Sequence, residues 1–360
     1  MMSHLDVIQK FKYKIALPAP ALYGQFDNLD DVDYVLNGLK KIGFDDVFEV
    51  SKAAELVSAY TRQYIKTEGV RMPVISPSCP VIVRLIGLMF PLLKENIMHL
   101  KTPMEVAAMM ARERAEKAHP ELDPKDIGVF FISPCPAKNS FVINAPDEDG
   151  NGTGVDAVLA INDLYFELIN AMKRDEKLEN LADSGMIGIG WATSGGESAA
   201  ILNDDYLAAF GIENVIRVLH QIENGNIPQV KFIELNACPG GCVGGVLTVQ
   251  NPFIANTRLQ SLRRYLPVSL NRPKEEGYIP EEFFFEELPT FNPLGKLSSN
   301  MAESMRMMAD IQRIRKSLPG IDCGACGAPS CRAHAEDAVV SGNTAVDCPI
   351  LKAWSMKEQE

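Results

Sequence analysis

The chain has 360 residues, of which 46% are apolar and 23% are charged, a balance typical of a folded protein with a substantial core. This composition excludes a mainly disordered chain, a collagen-like repeat and a small disulfide-stabilised scaffold. The formal net charge of −12 argues against a protein that wraps nucleic acid, because phosphate binding requires a basic surface.

The sequence shows neither an apolar stretch long enough to span a membrane nor a secretory signal. Its most apolar stretch, residues 81–93, is too short and is interrupted by Arg84. The first residues are charged and lack the apolar region of a signal peptide. We therefore expect a cytoplasmic protein, in which thiols stay reduced and clustered cysteines bind metal more often than they form disulfides.

Short apolar strands alternate with amphipathic helices through much of the chain. Helices are predicted over residues 27–42, where valines and leucines recur at helical spacing, and from Ser51 to about residue 66. Strands are predicted over residues 14–17, 46–50, 73–75, 127–132, 186–190 and 230–235. This alternation favours an α/β fold with mainly parallel sheets that are buried on both faces.

The composition changes after residue 270. Residues 271–300 are rich in proline and glutamate and show no clear period, which predicts a connecting arm. Its three consecutive phenylalanines, residues 283–285, are expected to dock on the body because they would be poorly tolerated in water. A helix is predicted over residues 301–317. The predicted organisation is a domain of residues 1–270, an arm of residues 271–300, and a helix with a cysteine module in residues 301–360.

The cysteine module contains Cys323, Cys326, Cys331 and Cys348, in the spacing C-x2-C-x4-C-x16-C. Four thiolates from one short segment with glycine and proline at its turns suit a cubane iron–sulfur cluster. A structural zinc site is the alternative, since zinc also takes four thiolates. His334 follows on a helix and is expected to be a surface residue rather than a ligand. The segment resembles the small four-cysteine 4Fe–4S module appended to redox and corrinoid proteins.

The remaining cysteines are dispersed, yet each follows a predicted strand in a turn rich in proline or glycine. They are Cys79, Cys135, Cys238 and Cys242. In open α/β sheets, ligands collect at the carboxyl ends of the strands, so four thiols arriving there could converge on one metal site. Taken singly, each could equally be a buried structural cysteine. Three such turns together favour the metal site.

These three turns resemble the signature motifs of the FeFe-hydrogenase catalytic domain. SPSCP at residues 76–80, PCPAK at 134–138 and ELNACPGGC at 234–242 are similar to the family patterns TSCCPxW, MPCxxKxxE and ExMxCxxGCxxGG. The similarity runs from about residue 13 through WATSGGESAA at residues 191–200 to about residue 253. The resemblance implies two α/β lobes, each with a small, mainly parallel sheet, and an H-cluster in the cleft between them.

The resemblance also implies roles for individual residues. Cys79, Cys135, Cys238 and Cys242 would bind the cubane half of the H-cluster. Cys242 would also bridge to its diiron half, which carries CO and CN⁻ ligands and a dithiolate.

Other positions would contact the diiron half. Lys138 matches a lysine that hydrogen-bonds a cyanide ligand, although it could be an ordinary surface lysine. Ala19 and Pro20 match positions that line the diiron pocket. Trp191 takes the place of a phenylalanine in the pocket wall, where it could equally be plain core.

Several departures from the family pattern concern proton transfer. Ser78 stands where the family has a second cysteine that passes protons, and a hydroxyl is a slower relay because its pKa is far above that of a thiol. Phe141 replaces the glutamate of the second motif, and a relay serine falls near Met98. Ser133 and Asn236 replace methionines and would make the pocket more polar. The altered relay predicts an enzyme of low turnover.

The resulting functional prediction is a sensory FeFe-hydrogenase that carries out H₂ ⇌ 2H⁺ + 2e⁻ slowly and holds one additional 4Fe–4S cluster. Its expected partners are a redox partner or a downstream signalling domain, together with diiron maturation proteins. The alternative is a non-catalytic iron–sulfur protein that carries only cubanes and serves electron transfer or cluster assembly. The polar Ser133 and Asn236 favour this alternative slightly. The tail of the third motif, VGGVLTVQNPF at residues 243–253, favours the sensor, because this tail and the appended four-cysteine module resemble the divergent sensory branch of the family. A third option is a conventional hydrogenase that relays protons through Ser78 and water.

Overall fold

The computed structural model describes residues 7–144, 152–172, 178–285, 297–298, 300–342 and 347–357. Within these ranges, seven strands form two parallel sheets, one with the order β2-β1-β4-β5 and one with the order β3-β7-β6. The strands are β1 (Tyr13–Pro18), β2 (Asp46–Val47), β3 (Val74–Ile75), β4 (Ile127–Ser133), β5 (Ala157–Ala160), β6 (Tyr206–Phe210) and β7 (Phe232–Asn236). The predicted α/β class with two small parallel sheets is confirmed.

The α-helices flank these sheets and build the C-terminal part of the chain. They are α1 (Asp33–Lys41), α2 (Val50–Tyr64), α3 (Pro80–Met89), α4 (Pro103–Ala118), α5 (Pro136–Asn144), α6 (Ile161–Ala171), α7 (Met186–Gly190), α8 (Gly196–Ala199), α9 (Ile212–Glu223), α10 (Pro252–Arg263), α11 (Met301–Ser317), α12 (Cys331–Val340) and α13 (Pro349–Lys357). None of the helices among the described residues is both long and apolar enough to cross a membrane.

The four-stranded sheet is covered on both faces, as its apolar sequence requires. All seven residues of β4 are buried. Val129 and Phe131 belong to one core cluster, whereas Phe130 and Ile132 belong to another. Successive side chains of a strand point to opposite faces, so the two clusters are the two layers of helices packed on the sheet.

One strand prediction is wrong, because residues 186–190 form the short helix α7. The sequence MIGIG alternates like a strand, but its glycines serve close packing instead. A Cβ on Gly188 would lie 2.2 Å from the Ser51 carbonyl oxygen, so the glycine allows α7 to rest directly on α2. The predicted strand 46–50 also shortens to β2, since α2 already begins at Val50.

Two strands, β5 and β6, were not predicted from the sequence. β6 (YLAAF) lies at the edge of its sheet and is only partly buried. Its alanines carry little of the β-branched signal that marks a strand.

The phenylalanines of the predicted arm dock on the body as expected. Phe283 is buried, and its ring centroid lies 4.5 Å from that of Tyr60. The backbone N–H of Phe285 donates to the His99 carbonyl. The start of the arm is held by the buried Glu55 carboxylate, which accepts hydrogen bonds from the Leu270 and Asn271 backbone. The boundaries at 270 and 300 stay a prediction, because residues 286–296 and 299 lie outside the described ranges.

Candidate metal centre

The four dispersed cysteines lie where the carboxyl ends of the two sheets meet. Cys135 follows β4 of the four-stranded sheet and directly precedes α5. Cys79 follows β3 and is the N-cap residue of α3. Cys238 follows β7, and Cys242 begins a short 3-10 helix. The fold therefore brings thiols from both lobes to one place, as the position of the strand ends predicts.

Close backbone packing between the turns holds this arrangement. A Cβ on Gly245 would lie 2.2 Å from the Pro134 carbonyl oxygen, so the third turn rests directly on the second. Gly241 has φ +94°, and a Cβ there would lie 2.4 Å from the Ser194 backbone nitrogen. A side chain at Gly245 would push the third turn away from the second, and one at Gly241 would push it away from residues 192–194.

The thiols lie close enough to influence each other's ionisation. Burial raises the pKa of Cys135 to about 11, and the neighbouring Cys79 adds to the rise. Burial of the sulfur among its neighbours raises the pKa of Cys242 to about 12, with Cys135 and Cys79 contributing, although the residue as a whole is exposed. Burial also raises the pKa of Cys238, and the other three thiols raise it further. The raised pKa values favour neutral thiols, so a cationic centre between them would be needed to hold all four as thiolates.

The donor chemistry fits an iron–sulfur cluster. Among the described residues, no three His, Cys, Asp or Glu side chains are arranged around a single metal ion. A cubane instead takes one thiolate per iron, which four cysteines supply. The first-turn backbone N–H groups of Ala137 and Lys138 donate to the Cys135 sulfur and oppose the rise in its pKa. Such N–H···S bonds and a helix N-terminus both stabilise an anionic cluster.

Lys138 is partly buried, and its charge reaches the cysteines of this centre. It lines a small cavity with Thr102, Phe141 and Phe285, and its Nζ lies 5.6 Å from the centroid of the Phe141 ring. Burial raises the pKa of Glu197, and the Lys138 ammonium opposes that rise. The Lys138 charge likewise opposes the rise in the pKa values of the Cys135 and Cys242 thiols. A role towards a cyanide ligand stays a prediction.

Of the other positions assigned to the pocket, Ala19 and Pro20 follow β1, whereas Trp191 follows α7. Ala19 follows β1, is 5% exposed and donates its N–H to the Ile132 carbonyl. Pro20 begins a short 3-10 helix. Trp191 packs against the same core cluster as Ala19, and its Nε1–H donates to Ser58 Oγ at 2.8 Å. Contact of these residues with a diiron unit stays a prediction.

Each of the two polar replacements is hydrogen-bonded to a residue two positions away in the chain. Ser133 Oγ accepts the Cys135 N–H at 3.1 Å and donates to the Cys135 carbonyl at 3.2 Å. The Asn236 amide donates to Glu234 Oε1 at 2.8 Å. Ser133 therefore braces the Cys135 turn and Asn236 is bonded to a buried carboxylate, which weakens the inference that they make the pocket polar.

A buried carboxylate beside Ser78 was missed by the sequence analysis. Glu197 is 5% exposed, and its two oxygens accept hydrogen bonds from Ser76 Oγ at 2.7 and 2.8 Å. Ser78 Oγ lies 3.5 Å from Glu197 Oε1. Burial raises the pKa of Glu197 well above its usual value, and Glu234 raises it further. The only sequence signal was an acidic residue directly after the paired glycines of residues 191–200.

Glu234 is a second buried carboxylate in the same region, and it belongs to the third cysteine motif. It accepts hydrogen bonds from the backbone N–H groups of Gly195 and Ser198, at 2.8 and 2.9 Å. Burial raises its pKa, and these backbone bonds oppose the rise. A glutamate within the apolar strand FIELN was the sequence signal for this group. Two carboxyl groups with raised pKa values beside the cysteines are typical of a functional site.

The C-terminal cysteines form a second group. Cys323, Cys326, Cys331 and Cys348 all line one small cavity. Burial raises the pKa of Cys326 to about 11, and Cys323 and Cys348 add to the rise. The second group therefore also supplies the four thiolates, one per iron, that a cubane requires.

His334 lines this second cavity, which corrects the expectation that it is a surface residue. It is partly buried, and burial lowers its pKa. Its Nε2 is buried without a hydrogen-bond partner among the described residues. A sulfur atom of a cluster in the cavity would satisfy this nitrogen, so the orphan atom also fits an iron–sulfur site.

Two family models match the chain. The model for “Iron only hydrogenase large subunit, C-terminal domain” matches residues 12–206 and 194–246, which together exceed half of the chain. The FeS model, “Putative Fe-S cluster”, matches residues 318–350 and so includes the second cysteine group.

Curated and solved proteins agree with this assignment. Iron hydrogenase 1 from Clostridium pasteurianum is 24% identical over 301 residues, which cover 68% of this chain and 52% of that protein. The chain thus spans about half the length of that relative. A variant of [FeFe]-hydrogenase HydA1 from Chlamydomonas reinhardtii matches with a TM-score of 0.56 and 18% identity, covering 73% of this chain and 88% of that one. An apo form of the same protein matches with a TM-score of 0.56 and 17% identity, covering 73% and 88%. The chain therefore belongs to the family defined by the C-terminal domain of the iron-only hydrogenase large subunit.

Proposed function

We propose that the protein is a sensory FeFe-hydrogenase that oxidises H₂ and reduces protons slowly. The observation that carries the proposal is the Glu197 carboxyl, which is buried beside the cysteine turns and hydrogen-bonded through Ser76 and Ser78. A buried carboxyl with a raised pKa can take up and release a proton, whereas a protein that holds only cubanes has no need of one.

The residues around the first cysteine group have distinct tasks in this proposal. When bound there by Cys79, Cys135, Cys238 and Cys242, an H-cluster supplies the metal centre at which H₂ is split into two protons and two electrons. Lys138 would stabilise its anionic ligands. Ser78 Oγ and Glu197 would pass the proton, with Glu197 as the group that holds it. The 3.5 Å separation of these two oxygens is long for a hydrogen bond, which agrees with slow transfer.

The sensory role rests on the expected low rate and on the second cysteine group. A slow enzyme contributes little to metabolism, but a redox change at its clusters can be passed on. The proposed partners are a redox protein or a downstream signalling domain, and the proteins that supply the diiron unit. We place the protein in the cytoplasm, where its eight thiols stay reduced.

Infrared spectroscopy tests the proposal directly. The protein is reconstituted anaerobically with iron, sulfide and the diiron cofactor, and spectra are recorded under argon and then under H₂. We expect protein-bound CO and CN⁻ bands that shift reversibly with H₂, together with low turnover. If no such bands appear although two cubanes are present, the proposal is wrong. The protein is then a cubane-only electron-transfer or assembly protein.

The His334 contact leads to a prediction about the second cluster. With its proton on Nε2, His334 would donate to a cluster sulfur and favour the reduced state. We expect His334→Leu to lower the reduction potential of the second cluster and to leave that of the first unchanged, as measured by a redox titration followed by EPR. The control variant is His119→Leu, since His119 contacts Tyr13 instead. An unchanged potential of the second cluster would contradict the contact.

A further inference from the structure

The C-terminal module packs directly on the cysteine turns of the hydrogenase-like domain. A Cβ on Gly324 would lie 3.8 Å from the Ala237 Cβ, and residues 324 and 237 are the direct neighbours of Cys323 and Cys238. The two cysteine groups therefore approach each other here, because each of the two contacting residues is directly followed or preceded by a cysteine.

The module makes a second close approach beside Cys135. A Cβ on Gly327 would lie 2.8 Å from both the backbone nitrogen and the Cα of Ala137, in the first turn of α5. The backbone of Gly327 has φ +95°, a conformation that glycine adopts without strain. Glycine at this position lets the module reach the backbone that surrounds the first cysteine group.

An ion pair fixes the orientation of the module. The Arg84 guanidinium on α3 makes a two-pronged contact with the Asp337 carboxylate on α12, with Nη2 to Oδ1 at 2.6 Å. The Arg84 side chain is 16% exposed, so the pair is partly shielded from solvent. A bidentate contact of this kind constrains direction as well as distance.

We infer that the C-terminal cluster is the direct electron partner of the first cubane, through the facing pair Cys323 and Cys238. Arg84, Asp337, Gly324 and Gly327 are the positioning residues of this route. In each transfer the first cluster is oxidised by one electron and the second is reduced by one, and no bond or proton moves. The two electrons of H₂ would leave the site by two such steps. The inference rests on the cluster assignment of the proposed function but not on its H₂ chemistry.

The test uses the full chain reconstituted with iron and sulfide alone, so that no diiron unit is present. Both cubanes are reduced with dithionite and examined by EPR. Two neighbouring paramagnetic clusters split or broaden each other's signals and relax faster. We therefore expect a spectrum that differs from the sum of the spectra of Cys135→Ala and Cys331→Ala, each of which retains one cluster.

Charge reversal identifies the docking contact. We expect Arg84→Glu to remove most of the coupling, and the double variant Arg84→Glu/Asp337→Arg to restore it. Lys40→Glu is the matched control. It breaks the ion pair between Lys40 on α1 and Glu179, and it should leave the coupling between the two clusters unchanged.

The outcomes separate this inference from the proposed function. Full iron content with an additive spectrum would overturn the inference and leave the proposed H₂ chemistry standing. A coupled spectrum in a protein that never shows CO and CN⁻ bands would support the inference and overturn the proposed H₂ chemistry. A chain that binds a cubane only at the first cysteine group would overturn the inference and leave the proposed H₂ chemistry standing, whereas a chain that binds no cubane there would overturn both.

Discussion

Glu197→Gln is expected to lower H₂ turnover by about 10²- to 10⁴-fold, the usual cost of removing one acid–base group. The amide keeps the size of the side chain and its contact with Ser76, but it cannot hold and release a proton. The measurement is H₂ oxidation and proton reduction per loaded cluster. The CO and CN⁻ bands should stay in place, because Glu197 contacts the serines rather than the cysteines.

The same variant separates proton transfer from stability. Burial is the main reason that the folded-state pKa of Glu197 is raised. The Glu234 charge raises it further, and the Lys138 charge opposes the rise. The contribution of Glu197 to the free energy of unfolding is thus fully present below the unfolded-state pKa and is lost as the pH rises through the folded-state pKa. The loss proceeds at about 1.4 kcal/mol per pH unit between the two pKa values. Glu197→Gln should therefore be more stable than the natural chain near pH 7, although it is slower.

Glu55→Gln is the matched control for this experiment. Glu55 is also a buried glutamate, but its carboxylate holds the arm at Leu270 and Asn271. We expect this variant to melt at a lower temperature and to keep its turnover per loaded cluster. If Glu197→Gln turned over at the natural rate, the relay would have to run through another group.

Replacing one ligand cysteine, in either the first or the second cysteine group, should halve the iron content of the chain. We expect about eight iron atoms per chain after reconstitution, since each cubane contains four. Cys135→Ala and Cys331→Ala should each retain about four. The physical reason is that each group supplies its own four thiolates, and a cubane that lacks one ligand is not held.

The two variants should differ in their activity. Cys135→Ala should lose all H₂ chemistry and all CO and CN⁻ bands, because Cys135 belongs to the group at the sheet ends. Cys331→Ala should keep the bands, because Cys331 lines the separate C-terminal cavity. Loss of all the iron in either variant would show that the two groups are not independent. Zinc in place of iron at the second group would support the structural alternative.

Much of this protein could be predicted from the sequence because its signals are local. The apolar run IGVFFIS can only be a buried strand, and Met301–Ser317 reads as one helix from its first residue to its last. The cysteine turns identified the donor atoms, since the type of residue alone decides which ligands are available. Local signals failed where close packing decided the conformation, as in α7, whose alternating Ile and Gly pattern serves contact with Ser51.

The relay carboxyl and the docking of the module depend on contacts between distant segments. Glu197 lies 119 residues from Ser78 along the chain, and Arg84 lies 253 residues from Asp337. Nothing in either local sequence indicates which partner will be met, because a side chain's burial and its pKa are set by the elements that pack around it. The sequence thus determined the ligands and the fold class. Only the tertiary structure decided that a buried carboxyl faces Ser78 and that the two cysteine groups are neighbours.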